Sequence, residues 1–92
     1  MLEKEIEQAL VKAVKAAGGM CPKWVAVGMN GFPDRMILLP HGRVAFAEIK
    51  APGKKPRRLQ TIRHQQLRIL GFKVYVIDGT EQIPEVIKEV QA

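Results

Sequence analysis

The segment Arg43–Lys50 (RVAFAEIK) constrains the chain most. Its run of apolar and small side chains reads as a strand that a fold should bury, yet Glu48 and Lys50 stand near its end. Side chains two apart on a strand point to the same side, about 6.6 Å apart along it. A carboxylate and an ammonium therefore project together from one sheet face. Burying such charges costs several kcal/mol each unless something compensates. An isolated Glu-x-Lys is most simply a mutual ion pair on an exposed strand end; what surrounds it decides between that and chemistry.

Around this strand the periodicities give an ordered set of elements. Leu2–Ala17 carries Leu2, Ile6, Ala9, Leu10, Ala13, Val14 and Ala17 at three- and four-residue steps, one apolar stripe of a helix closed by Gly18-Gly19. Glu3 and Glu7 flank that stripe, while Glu5 points away. Trp24–Val27 is β-prone, Gly28–Pro33 is turn-rich, and Met36–Leu39 is an apolar strand closed by a Pro40-His41-Gly42 hairpin turn. After the basic loop Ala51–Pro56, a helix over Arg57–Leu70 is expected to turn Leu59, Ile62, Leu67 and Leu70 inward. Phe72–Ile77 reads as a fourth strand and Ile83–Val90 as a closing helix. The order αβββαβα, with a helix between the last two strands, permits a parallel crossover. The expected fold is one α/β domain over residues 1–92, a mixed four-stranded sheet flanked by helices.

Ninety-two residues make a thin core, since a chain this short removes only about 60–65% of its unfolded surface on folding. Pairing with a second copy would relieve that limit, and the first helix and first strand are the expected pairing faces. No apolar run approaches the length needed to span a membrane, and no basic-then-apolar leader opens the chain; a cytoplasmic protein is expected. Cys21 is alone, which excludes an internal disulfide and a cysteine zinc cluster, and His41 and His64 lack zinc-site spacing. Cys21 reads as a small apolar filler, His41 as turn surface, His64 as exposed helix, and Trp24 as core or dimer contact.

The net charge of +6 is unevenly spread. Eight basic residues lie from Lys50 to Lys73, and no acidic residue falls between Glu48 and Asp78. A basic half suits a polyanion, because each neutralised phosphate releases counterions. Within it Lys54, Lys55, Arg57 and Arg58 are the expected backbone contacts, with Arg35 either touching phosphate or pairing a carboxylate.

Asp34 changes the standing of Glu48 and Lys50. It lies in Gly31-Phe32-Pro33-Asp34-Arg35, 14 residues before Glu48. A hairpin between the two strands brings the start of one beside the end of the other. Two converging carboxylates form an oxygen-rich site suited to a hard divalent cation such as magnesium, which polarises a phosphoryl group and acidifies a bound water. A lysine there can orient that water or stabilise charge on the phosphate.

At these residues the chain resembles the PD-(D/E)xK nuclease superfamily, through Pro33-Asp34 and Glu48-Ile49-Lys50. It most resembles the VRR-NUC domain in its small stand-alone phage and bacterial form. Gly31–Arg35, Ala47–Lys50, and Gln60 eleven residues ahead of Gly71-Phe72 carry the likeness, with Glu5-Ile6-Glu7, Gly18-Gly19 and Trp24 in support. The resemblance implies a restriction-endonuclease-like αβββαβ core. It implies Asp34, Glu48 and the Ile49 carbonyl as metal ligands, and Lys50 as the water-activating group. Gln60 would contact water or phosphate, and an acid from the first helix, Glu7 ahead of Glu3, would complete the set. Magnesium, with manganese as substitute, and a homodimer cutting branched, Holliday-junction-like DNA to leave 5′-phosphate ends follow from the same likeness. The competing expectations are a non-catalytic DNA-binding or recruitment module and, more remotely, an RNA nuclease.

Overall fold

The computed structural model describes all residues, Met1–Ala92. Helix α1 (Glu3–Ala16) is followed by strands β1 (Arg35–Leu39) and β2 (Arg43–Ile49), helix α2 (Arg58–Ile69), strand β3 (Lys73–Ile77), a 3₁₀ turn at Thr80–Gln82 and helix α3 (Ile83–Gln91). The sheet order is β1-β2-β3, with β1 and β2 antiparallel and β2 and β3 parallel across the α2 connection. The mixed sheet is as expected, but it has three strands and not four.

The missing strand has a physical cause. Residues 20–24 do run along the free edge of β1: Met20 and Leu38 exchange both backbone hydrogen bonds, Met36 N–H donates to the Pro22 carbonyl, and Trp24 N–H donates to the Asp34 carbonyl. Pro22 has no N–H to return, so the ladder is interrupted and only isolated bridges survive at Met20 and Lys23. The edge segment thus lies upstream of the expected Trp24–Val27, and Val25 and Val27 are exposed.

Alternation along β2 divides the molecule into layers. Ala45, Ala47 and Ile49 face a core built with Ile6, Leu10 and Val14 of α1 and Ile83, Val86 and Val90 of α3. Phe46, on the other face, packs with Leu67 of α2 and Val74, backed by Trp24, Phe32 and Met36. Of the stripe foreseen for α1, Ile6, Leu10 and Val14 have no accessible surface, each contributing roughly 1.5–3 kcal/mol, whereas Leu2 stands outside the helix as its N-cap and is exposed. Gly18 and Gly19 close that helix by donating to the carbonyls of Lys15 and Val14, a Schellman termination with Gly18 at positive φ. On α2 the inward face differs from expectation. Leu67 is buried, but Leu59, Ile62 and Leu70 are substantially exposed and His64 is buried instead. No helix is long and apolar enough to cross a membrane.

Candidate active site

The register of the β1–β2 hairpin pairs Arg35 with Ala47. Asp34 lies one residue beyond the last pair of the ladder, where continuation of the register would set it opposite Glu48 on the same sheet face. The face is the one covered by α2. The charge of Asp34 acts on Glu48 and, after burial, adds to the rise in its pKa.

Asp34 is held from both sides. Its carbonyl accepts the Trp24 N–H, and the preceding loop is docked on α2. Arg63 donates through Nε to the Asn30 carbonyl at 2.8 Å and lies over the Phe32 ring. Gly31, at φ +89°, approaches Leu59 so closely that a Cβ would sit 2.8 Å from its side chain and 3.0 Å from its carbonyl oxygen. Trp24 completes the support, its ring centroid 5.6 Å from those of both Phe32 and Phe46. Asp34 itself remains exposed.

Glu48 is the opposite case, 7% exposed. Its Oε2 lies 3.6 Å from Lys50 Nζ and accepts a hydrogen bond from Gln60 Nε2 at 3.3 Å. Gln60 is oriented for this by the start of α2, where its Oε1 accepts the Arg57 N–H at 2.8 Å. A single side chain thus caps the helix and holds the carboxylate. The other oxygen, Oε1, is buried without a hydrogen-bond partner, and so is His64 Nε2, 3.8 Å away. Burial pushes Glu48 above the usual carboxylate range, with Asp34 and Glu3 adding to the effect and Lys50 opposing it. Burial, reinforced by Arg68 and Lys50, pushes His64 below the ordinary imidazole value. His64 therefore faces Glu48 as a neutral ring at neutral pH.

The backbone adds a donor. Lys50 N–H donates to the Ile77 carbonyl on the β3 side. Strand alternation then directs the Ile49 carbonyl to the β1 side, beyond the last pair of the ladder. No group of three or more His, Cys, Asp or Glu side chains is poised to hold a metal. Two carboxylates and one carbonyl are what the chain offers, an oxygen set that fits a hard cation retaining several waters. The orphaned Glu48 Oε1 accords with such a fit.

Glu48, Lys50 and Gln60 are thus in contact, and Asp34 is near enough for its charge to act on Glu48. Glu7 is not: it lies on the α1 side of the sheet, where Arg35 Nε reaches it at 3.1 Å and Lys23 Nζ at 3.7 Å. Of the two first-helix acids weighed from sequence, Glu3 is the one whose charge acts on Glu48. Arg35 is correspondingly a carboxylate partner rather than a free cation. It also donates to the Cys21 carbonyl at 2.7 Å, and only 15% of its side chain is exposed. Lys54, Lys55, Arg57 and Arg58 are exposed beside the site, with no carboxylate within 4.0 Å. His64 was missed as a neighbour of the site. Its signal was spacing, since it follows Gln60 by four residues and precedes Leu67 by three on one helical stripe.

No family model matches the sequence. A protein of Acyrthosiphon pisum secondary endosymbiont phage 1, named "Putative nuclease p44", is 43% identical over 79 residues, which span 86% of this chain and 85% of that protein. A solved structure described as a VRR-NUC domain superposes with a TM-score of 0.87 at 29% identity, covering 94% of each chain.

Proposed function

The chain belongs to the VRR-NUC nuclease domain family, and from that premise we propose that it is a magnesium-dependent endonuclease of branched DNA that works as a homodimer. The observation that carries the reading is Glu48. A buried carboxylate that Lys50 does not fully compensate, with Asp34 opposed to it across the hairpin, is an expensive arrangement for a purely structural ion pair.

In this reading Asp34, Glu48 and the Ile49 carbonyl hold the cation, with manganese an acceptable substitute. Bound there, magnesium would polarise the scissile phosphate and lower the pKa of a coordinated water. Lys50 orients the attacking water and offsets charge that develops on the phosphoryl oxygens. Gln60 fixes the rotamer of Glu48 from one side, and neutral His64 closes the pocket behind it. Of the first-helix acids, Glu7 is engaged by Arg35 and Lys23, and the charge of Glu3 is felt at Glu48. Lys54, Lys55, Arg57 and Arg58 receive the backbone of the strand being cut, leaving a 5′-phosphate.

Homodimerisation finds support in Val25, Val27 and Met29, apolar side chains exposed on the segment next to the β1 edge. A junction is approximately two-fold symmetric, so paired sites could nick opposing strands.

The test is incubation of the purified protein and its Asp34→Ala and Lys50→Ala variants with labelled four-way junction, flap and linear duplex, in magnesium, manganese or chelator. Metal-dependent cleavage by the parent and loss in both variants is expected, with DNA binding retained. Undiminished cutting by either variant removes the mechanism. Binding without any metal response would make the chain a DNA-recognition module.

A further inference from the structure

The largest groove of the molecule, about 490 Å³, is not at the carboxylate pair but along α1. It is lined by Lys4, Gln8, Val11, Lys12 and Lys15, with Glu7 and Arg35 along its side. Lys4, Gln8, Lys12 and Lys15 fall at i, i+4, i+8 and i+11, one continuous stripe. At 1.5 Å per residue the three lysines are spread over about 16 Å.

The acid in this groove is already spoken for. Arg35 and Lys23 engage Glu7. Lys4, Lys12 and Lys15 have no carboxylate within 4.0 Å and are exposed. Three ammonium groups without ion-pair partners along one groove raise a positive potential there. The 16 Å span corresponds to about five nucleotides of strand at a rise of 3.4 Å each.

Its position matters as much as its charge. The groove belongs to the helix layer on one side of the sheet, whereas Lys54, Lys55, Arg57 and Arg58 belong to the α2 layer on the other. The molecule is 21 Å across its shortest axis. A single straight duplex segment cannot lie along both surfaces. Branched DNA, whose arms diverge, can.

We propose that the α1 groove binds the sugar-phosphate backbone of a second DNA arm, one other than the arm being cut. The assignment rests on the reading of the chain as a DNA nuclease and supplies a source for structure selectivity: a linear duplex occupies the α2 surface alone, and a junction occupies both. Lys4, Lys12 and Lys15 act as positioning contacts and touch no reacting atom.

The experiment compares the Asp34→Ala protein with Asp34→Ala carrying Lys4→Gln, Lys12→Gln and Lys15→Gln, so that cleavage plays no part. Affinity for a four-way junction and for a linear duplex of equal total length is measured over a salt series. Glutamine retains helix propensity, and circular dichroism checks that the fold survives. Expected is a loss of junction affinity of tenfold or more, with the slope of log K against log salt shallower by about 2.7 for three lost contacts, and linear-duplex affinity nearly unchanged. A folded variant with unaltered junction affinity and salt slope overturns the proposal, as does an equal loss on both DNAs. If the protein with intact lysines binds neither DNA, the nuclease reading itself falls, a separate outcome.

Discussion

Glu48 and His64 meet in the interior between β2 and α2, Oε1 and Nε2 only 3.8 Å apart and neither hydrogen-bonded. The imidazole gives the carboxylate a rigid wall without neutralising it. Replacing His64 with leucine should keep most of the packing while loosening Glu48. Supporting groups behind a metal ligand typically tune affinity 10- to 100-fold, so His64→Leu should weaken the apparent magnesium affinity by about tenfold. Magnesium titrations of cleavage and of thermal stability would show it; an unshifted titration midpoint would reduce the imidazole to filler.

Glu48→Gln should separate stability from activity. Burial outweighs Lys50 at this carboxylate, so its charged form is disfavoured in the fold relative to its neutral form. A gain of about 1 kcal/mol, or roughly 4–8 °C in Tm for a domain of this size, is expected without metal, together with loss of cleavage. A lower Tm in Glu48→Gln would mean that Lys50 and Gln60 compensate the charge fully.

The two groups respond oppositely to acid. Glu48 in the folded chain keeps its proton at pH values where the unfolded chain, near 4.5, has released it. It therefore favours folding on the acid side and loses that contribution as pH rises through its folded pKa. His64 is lowered from 6.5, so its contribution is complete above that value and is lost as pH falls through it toward the folded pKa. Removing the imidazole leaves the carboxylate alone. Metal-free His64→Leu should thus lose less stability than the parent between pH 6.5 and 4.5, read as Tm against pH. Parallel curves would contradict the pairing.

Gly31→Ala should detach the loop that presents Asp34. The substitution combines a left-handed φ with contacts to Leu59 below 3.1 Å, and the conformational part alone costs about 1–2 kcal/mol. Gly53, at φ +78° with nothing within 4 Å, is the matched control. Gly31→Ala should lower Tm clearly more than Gly53→Ala and reduce cleavage as well. Equal Tm losses would show that the approach to Leu59 is slack.

Much of this was legible in the residues. The α1 stripe and its glycine stop, the hairpin, the crossover and the convergence of Asp34 on Glu48 all follow from local periodicity and strand alternation. The errors arose where tertiary demands compete with local ones. Pro22 interrupts the edge pairing that Trp24–Val27 promised, because a missing N–H matters only once the neighbouring strand is known. The α2 helix turns Gln60 and His64 inward, leaving Leu59 and Ile62 half outside, because Glu48 needs polar company on that face. Glu7 flanks the α1 stripe on a helical wheel; its capture by Arg35 and Lys23 depends on which sheet face receives α1.

The tight bend from Leu39 to Arg43 contains two residues with positive φ, His41 and Gly42. It stands about five strand residues, or some 16 Å, from Glu48, yet it sets which side chains of β2 look which way. A single residue added or removed there, transmitted along β2, would turn Glu48 and Lys50 into the oily layer beneath α1 and present Ala47 and Ile49 to α2. Length at that remote corner is therefore a determinant of chemistry.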